Sequence, residues 1–352
     1  MASLPTVSIP LFKLSSGKTD VAPEVKADIV SVEVNEEEDR VAMATVTLNL
    51  WNGVRQQIKE EYLTQFQLGT PIELAVGLNQ TSPIFTGEVT ALEPSFGSAE
   101  AGDTLKIQAF NRLHRLTFGT HQRTFQKMTD SEIAAKIADE VGLTGDVEDT
   151  VTRRDHVTQE NVNNLTFLSN LKPSNYELKV EDKTLFFRST REPVGPAASL
   201  AYRRELTRFT PRLRALPEGE KVEVRGWDVK SKKLILGTAG AGDETSKMGG
   251  KKSGAEISAA AFAPATRTIT DRGVVDADDA QRIAKGWYNR QQRDFVEAEG
   301  ECPGTPLVRC GVTLEITDIG KPFSGIYYVT SATHTVGSDG YRTSFKVRRN
   351  AV

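Results

Sequence analysis

The sequence predicts a mainly β protein with an α+β insertion, built as two tube-like β-barrel units with a small α/β domain between them. Three observations carry this. Two stretches nearly repeat each other, Pro83-Ile-Phe-Thr-Gly87-Glu-Val89 and Pro322-Phe-Ser-Gly325-Ile-Tyr-Tyr-Val329, each after a strand-like run that begins just beyond Gly69 or Gly311. Twenty residues past Gly87 stands Ile107 in an alternating run, and twenty past Gly325 stands Phe345 in another of the same phase, the mark of a duplicated β-unit. Near Gly119 the apolar spacing changes from two to helical spacing, and alternation returns after Pro193 and Pro196. The expected divisions are a first unit over 1–118, the insertion over 119–197, and a second unit over 198–352.

The elements follow in order. Ile29, Val30, Val32 and Val34 form a first strand, an acidic turn covers Glu36 to Asp39, and Ala44 to Leu50 returns as its hairpin partner. Val54, Ile58, Tyr62 and Phe66 lie four apart and predict a helix leading to the strand Ile72 to Val76. In the insertion, Thr129-Asp-Ser-Glu132 reads as a capping box ahead of Ile133, Ile137 and Val141, and Gly142 stops that helix. After a polar stretch, Asn163 to Leu171 suits a short helix ended by Pro173. Two β-rich runs around Asp182-Lys183 then predict a tight hairpin.

The second unit is expected to open with Arg204 to Phe209 and Val222 to Asp228, paired through a turn at Pro217, with Lys233 to Leu236 closing that sheet. Gly237 to Ala265 is rich in Gly, Ala, Ser, Lys and Thr with few large apolar residues, so it is expected to be mobile and to gain order against a partner. Lys247, Lys251 and Lys252 are its candidate contact residues. Ala280, Ile283, Ala284, Trp287 and Tyr288 share one face of a helix from Asp276 to Phe295, and the last β-unit runs from Leu307 to Val347. Gly87 and Gly325 are the candidate structural turn glycines, placed at equivalent points where the backbone bends or is closely approached.

Composition narrows the function. A chain of 352 residues is long enough for two or three domains, and a formal net charge of −3 supplies no basic field for nucleic acid. No apolar run approaches the ~20 residues of a membrane span, and the first residues lack the basic and apolar regions of a secretory signal, so synthesis in the cytoplasm without membrane insertion is expected. Cys302 and Cys310 flank a Pro-Gly-Thr-Pro turn and read as two reduced thiols before a disulfide or metal pair.

No catalytic, cofactor-binding or metal residue is expected from the sequence motifs. His114, His121, His156 and His334 have no partner at ligand spacing, and His114 and His334 sit beside strands as structural histidines would. Gly249-Gly-Lys251-Lys-Ser253 imitates the end of a phosphate loop, but Thr245 and Lys252 stand where a glycine and a hydroxyl are required. Trp227-Asp228 occurs without the period of a propeller. Scattered acids are read as solvated surface before a glycoside-cleaving pair.

With Val222-Glu-Val-Arg-Gly-Trp-Asp228 followed by a loose loop, a helix and Gly325-Ile-Tyr-Tyr-Val-Thr-Ser-Ala-Thr-His334, the order of parts resembles the phage late control protein D family over nearly the whole chain. That family groups with the N-terminal part of valine-glycine repeat spike proteins and with the central hubs of contractile-tail baseplates. The resemblance implies two tube-like barrels per chain, an inserted α/β domain, and a homotrimer joining a hexameric inner tube to a trimeric spike beside other baseplate proteins, as part of an assembled tail or injection particle. Spike proteins of the repeat type continue into a further barrel and a β-helix; this sequence ends at Val352, so the needle is expected as a separate spike protein. The alternative is a tail-associated peptidoglycan hydrolase with its active domain in residues 119–197. The resemblance covers phage tails, tailocins and effector-delivery devices alike.

Overall fold

The computed structural model describes residues 11–17, 19–77, 80–97, 102–191, 195–216, 219–262, 264–270 and 273–352. Pro193 and Pro217, expected at a boundary and a turn, lie outside the described residues. The first unit contains β1 (Leu11–Ser16), β2 (Ile29–Glu37), β3 (Met43–Asn49), β4 (Pro71–Gly77), β5 (Ser82–Ser95) and β6 (Thr104–Phe110), an antiparallel sheet in the order β2-β3-β6-β5-β4-β1. Period-two alternation puts Val32, Val34, Val46, Leu48, Leu105 and Ile107 into one core with Leu14, Leu74 and Ile84. The helix expected from Val54 to Phe66 is shorter, α1 (Glu60–Gln65). The Asn52 side chain accepts from the amides of Val54 and Arg55 at 3.1 and 3.0 Å, an Asx turn that competes with helix and leaves Val54 95% exposed.

The middle region holds β7 (His121–Thr129), α2 (Asp130–Glu140), β8 (Thr144–Val147), β9 (Arg153–Val162), α3 (Asn164–Leu171), β10 (Tyr176–Glu181) and β11 (Thr184–Ser189). The capping box at α2 is complete: Thr129 Oγ1 accepts from the Glu132 amide at 3.1 Å, and Glu132 accepts from the Thr129 amide at 2.9 Å. β10 and β11 form the two-residue hairpin, with Asp182 at φ 48°. Ile133, Ile137, Phe167, Leu168, Leu178, Leu185 and Phe187 fill a separate core that also takes Leu113 and Leu116 from the turn before β7. The polar stretch before α3 is itself a strand: β9 pairs along β7 as an exposed ribbon.

The second unit comprises β12 (Ala198–Ala201), β13 (Arg208–Leu213), β14 (Lys221–Asp228), β15 (Lys233–Ala239), α4 (Gly254–Phe262), β16 (Thr266–Thr270), α5 (Ala277–Gln292), β17 (Val296–Pro303), β18 (Thr313–Thr317), β19 (Gly325–Gly337) and β20 (Gly340–Arg349). Here the structure corrects the reading of the strand pair. β13 pairs with β17, not with β14, while β14, β15 and β16 form their own three-stranded sheet against α5. Neighbours in sequence usually pair. In this case Val222 and Val224 bury against Ala280 and Ala284 of α5, so the excursion closes on itself and α5 returns the chain beside β13.

The stretch from Gly237 to Ala265 also differs from expectation, since it carries the end of β15 and all of α4. Small residues there permit close approach where large ones would have buried area. A Cβ on Gly254 would stand 2.4 Å from the Phe295 ring, Ala255 is fully buried, and Ser253 bridges to Ala351 at the C-terminal end of the chain.

The two β-units join into one sheet. β19 pairs with β18 over Gly325–Tyr328, then with β2 over Ser331–Val336, so eight consecutive strands run β13-β17-β20-β19-β2-β3-β6-β5.

Candidate functional site: the polar face and junction of the joined sheet

The duplication can be followed atom by atom. In the first unit Gly69 N–H donates to Val89 O (2.8 Å), and Val89 N–H to Thr70 O (2.9 Å); in the second, Gly311 N–H donates to Val329 O (2.9 Å), and Val329 N–H to Val312 O (2.9 Å). The next residue is a threonine in a β-bulge in both. Thr90 Oγ1 donates to Gln108 O at 3.4 Å and Thr330 Oγ1 to Lys346 O at 3.3 Å. Val89 therefore corresponds to Val329, Leu92 to Ala332, and Ile107 to Phe345.

Gly87 and Gly325 do not correspond, and Gly87 is not a turn residue. Gly87 lies inside β5 opposite Ile72, whereas Gly325 opens β19 opposite Ile316; in the shared frame Gly87 matches Tyr327, and Gly325 matches Phe85. Each has its own reason to be glycine. A Cβ at 87 would stand 2.3 Å from the Phe110 carbonyl oxygen, and Gly325 has φ +144°, where a Cβ would stand 2.6 Å from the Arg349 guanidinium.

One face of the eight strands covers the two β cores and the other is polar. Two rows across it read Arg342, Thr335, Glu33, Thr45 and Gln108, and Thr210, Glu299, Lys346, Ser331 and Glu37, and the row between them reads Glu301, Ser344, Thr333, Asn35, Met43 and Phe110, polar except at its last two positions. Opposite charges meet within it: Lys346 lies 3.4 Å from Glu299 and Lys106 3.5 Å from Glu93. A face holding both signs, with hydroxyls and amides between them, stays wetted and offers no cationic track for nucleic acid.

Charged clasps hold the units together behind that face. Arg309 of the second unit donates through Nε to Glu36 of β2 at 2.7 Å, through a terminal nitrogen to the same carboxylate, and through the other to Pro83 O at 2.8 Å. They line a cleft of about 420 Å³ where the three regions meet, with Lys179, Glu181 and Cys310. Glu88 is buried between Arg112 and Arg115; burial raises its pKa, but the two guanidiniums outweigh that and hold it below the ordinary value. Arg112 also pairs with Asp182, tying the first unit to the middle region. Thr152 donates to the buried Asp279 at 2.8 Å, tying the middle region to α5.

The remaining candidates are accounted for locally. Lys247 pairs with Glu256 at 3.1 Å, and the amides of Lys251 and Lys252 donate to Val352 O, so the lysine stretch packs against residue 352. His114 Nδ1 lies 2.9 Å from Asn111 O. His334 is buried with Nδ1 2.9 Å from the Tyr341 hydroxyl, and burial lowers its pKa to about 4. His121 and His156 lie on the β7–β9 ribbon. Cys302 and Cys310 are free thiols, and burial raises both pKa values, that of Cys302 to about 12. Among the described residues no group of three or more His, Cys, Asp or Glu is placed to hold a metal ion, and no helix is long and apolar enough to cross a membrane.

The arrangement has the fold of phage tail proteins. The chain is similar to the 43 kDa tail protein of prophage MuSo2 from Shewanella oneidensis (TM-score 0.66, 13% identity, 97% of this chain and 98% of that one). It is equally similar to a tail protein of Neisseria meningitidis (TM-score 0.66, 11% identity, 97% and 96%). An Escherichia coli component of the type VI secretion system, itself described as structurally similar to tail proteins of bacteriophage T4, follows at TM-score 0.61, 13% identity, and 96% and 77% coverage. Among curated proteins none matches the sequence. The family model of the Alg8 N-terminal domain matches residues 12–338, and the chain belongs to that family.

Proposed function

We propose that this protein is a structural hub of a contractile injection machine, a homotrimer that adapts a hexameric inner tube to a trimeric spike. The carrying observation is the duplication: two units with the same bulge and the same hydrogen bonds, joined edge to edge into one sheet with its polar face turned away from the two cores. Three copies around an axis present six similar units at near-sixfold spacing while keeping three of everything else. Eight strands from each of three copies make 24. At ~4.8 Å between strands, with tilt, such a ring has a backbone diameter of roughly 35–50 Å, wide enough for a water-filled channel lined by the mixed-charge face. The likeness to tail proteins in fold supports the same reading. The chain is made in the cytoplasm and works inside the particle, against the tube, the spike and other baseplate proteins.

Reconstruction of the native particle without imposed symmetry tests this. Three copies at the end of the tube, polar faces inward, are expected; six copies, or faces turned away from the axis, overturn it.

A further inference from the structure

The proposed ring needs a second kind of junction, between copies, and the junction inside the chain is its template. Within the chain, β19 meets β2 in the register Ala332 opposite Glu36, Thr333 opposite Asn35, His334 opposite Val34, Thr335 opposite Glu33 and Val336 opposite Val32. The duplicated frame carries each position into the other unit. Ladder partners match Thr333 with Glu93 and His334 with Pro94 on β5, and Asn35 with Arg212 and Val34 with Pro211 on β13. At the two ends of the eight-strand run, the outer edges of β13 and of the second half of β5 pair with no strand among the described residues.

We infer that these two edges pair with each other between copies of this chain, antiparallel, with Leu92 opposite Leu213, Glu93 opposite Arg212, Pro94 opposite Pro211, Ser95 opposite Thr210 and Phe96 opposite Phe209. This rests on the hub reading and names its subunit contact. The side chains match pair by pair. Glu93 meets Arg212 on the polar face, while Phe96, 65% exposed, meets Phe209, and Leu213, 40% exposed, meets Leu92 on the core side. A pairing at random would not place the acid, the cation and the two exposed apolar side chains each against a suitable partner.

The prolines give the seam a property that the internal junction lacks. Glu38 N–H donates to Thr330 O, so alternate pairs from there, including Val34 with His334, are the hydrogen-bonded ones. At the matching place between copies stand two prolines, neither with an N–H, so the middle of the seam makes no ladder bond. Prolines whose nitrogens face outward blunt an edge against indiscriminate pairing. The seam therefore closes through its ends and side chains, and two free edges of a lone chain do not propagate a sheet.

The test is a disulfide. Glu93 and Arg212 fall at a non-hydrogen-bonded pair, with α-carbons ~4.5 Å apart, within reach of a bridge. The full chain carrying Glu93→Cys with Arg212→Cys is oxidised beside the out-of-register control Glu93→Cys with Arg208→Cys, and wild-type mass is measured by light scattering. A covalent trimer for the first pair, and none above background for the control, is expected. A wild-type trimer without that disulfide overturns the seam and leaves the hub; neither trimer nor disulfide overturns both. Restoring donors with Pro94→Val and Pro211→Val is expected to tighten association at least tenfold, and an unchanged association constant overturns the role given to the prolines.

Discussion

Replacing Arg309 with Met isolates the clasp between the two units. The guanidinium makes two bonds to Glu36 and one to Pro83 O, and the two side chains are 29% and 13% exposed, so solvent screens them only in part. Methionine keeps much of the volume and removes the charge. Glu36 then keeps only the Cys310 amide, at 3.3 Å, for a largely buried carboxylate. Removing one partner of such a pair costs about 3 kcal/mol, mainly through the charge left behind. At ~2.1 cal/mol/K per residue, a chain of 352 residues melting as one unit loses about 4 °C in Tm. Adding Glu36→Gln to Arg309→Met neutralises the stranded charge and is expected to recover about 2 kcal/mol of the loss. Urea unfolding of the two single variants and the double variant measures the coupling. A loss below about 1 kcal/mol for Arg309→Met, or no recovery in the double variant, would refute the clasp.

Acid titration offers a second check, because His334 is buried neutral with a pKa of about 4. Between the unfolded value near 6.5 and that folded value the unfolded chain binds the extra proton, so stability falls with pH by up to about 3 kcal/mol across this window. His334→Gln should flatten the limb, and an unchanged slope in urea midpoints counts against it. Glu88, with its pKa held low, contributes stability above the ordinary carboxylate range that disappears as pH falls through the folded value; Glu88→Gln should lose stability at pH 7 and show a shallower acid limb. Gly87→Ala forces a methyl onto a strand carbonyl and should cost about 1–3 kcal/mol, a prediction that fails if the variant melts with wild type. Zymography of the full chain on peptidoglycan should be blank, and a zone of clearing would revive the hydrolase reading.

Local features of the fold were legible in the sequence, and long-range ones only through the repeat. The Thr129–Glu132 box and the Asp182-Lys183 hairpin depend on residues a few positions apart, so their chemistry is visible in a short window. The helix spacing from Val54 to Phe66 misleads because it takes no account of the Asn52 side chain, which turns the chain at Val54 and Arg55. The duplication was found through glycines that are not equivalent. From Leu92 to Ile107 is 15 residues and from Ala332 to Phe345 is 13, while Gly325 sits two positions earlier in its frame than Gly87; the two offsets cancel and give the equal spacing. The bulge threonines were the sounder marker. The β13–β17 pair and the β19–β2 junction have no local signature, since their partners stand far apart in sequence, and the polar face is assembled by those pairings.

Where the two units differ is as informative as where they agree. Both share the five-strand frame with its bulge, represented by β2 to β6 and by β13 and β17 to β20. Outside it they diverge: β1 pairs antiparallel with β4, whereas β12 pairs parallel with β18, and only the second unit carries the β14–β16 sheet with α4 and α5. If three copies form a ring, the frame repeats six times and every addition three times. Contacts with a sixfold tube then belong on the strand ends that rim the frame and contacts with a threefold spike on the additions, so paired changes at Asn49, the exposed end of β3, and at its counterpart Pro303, the exposed end of β17, should weaken tube docking together. Changes on the exposed side of α5, such as Lys285, should leave tube docking intact. Pull-down of the tube protein by each variant separates the two cases, and a loss caused by the α5 change alone would refute the division.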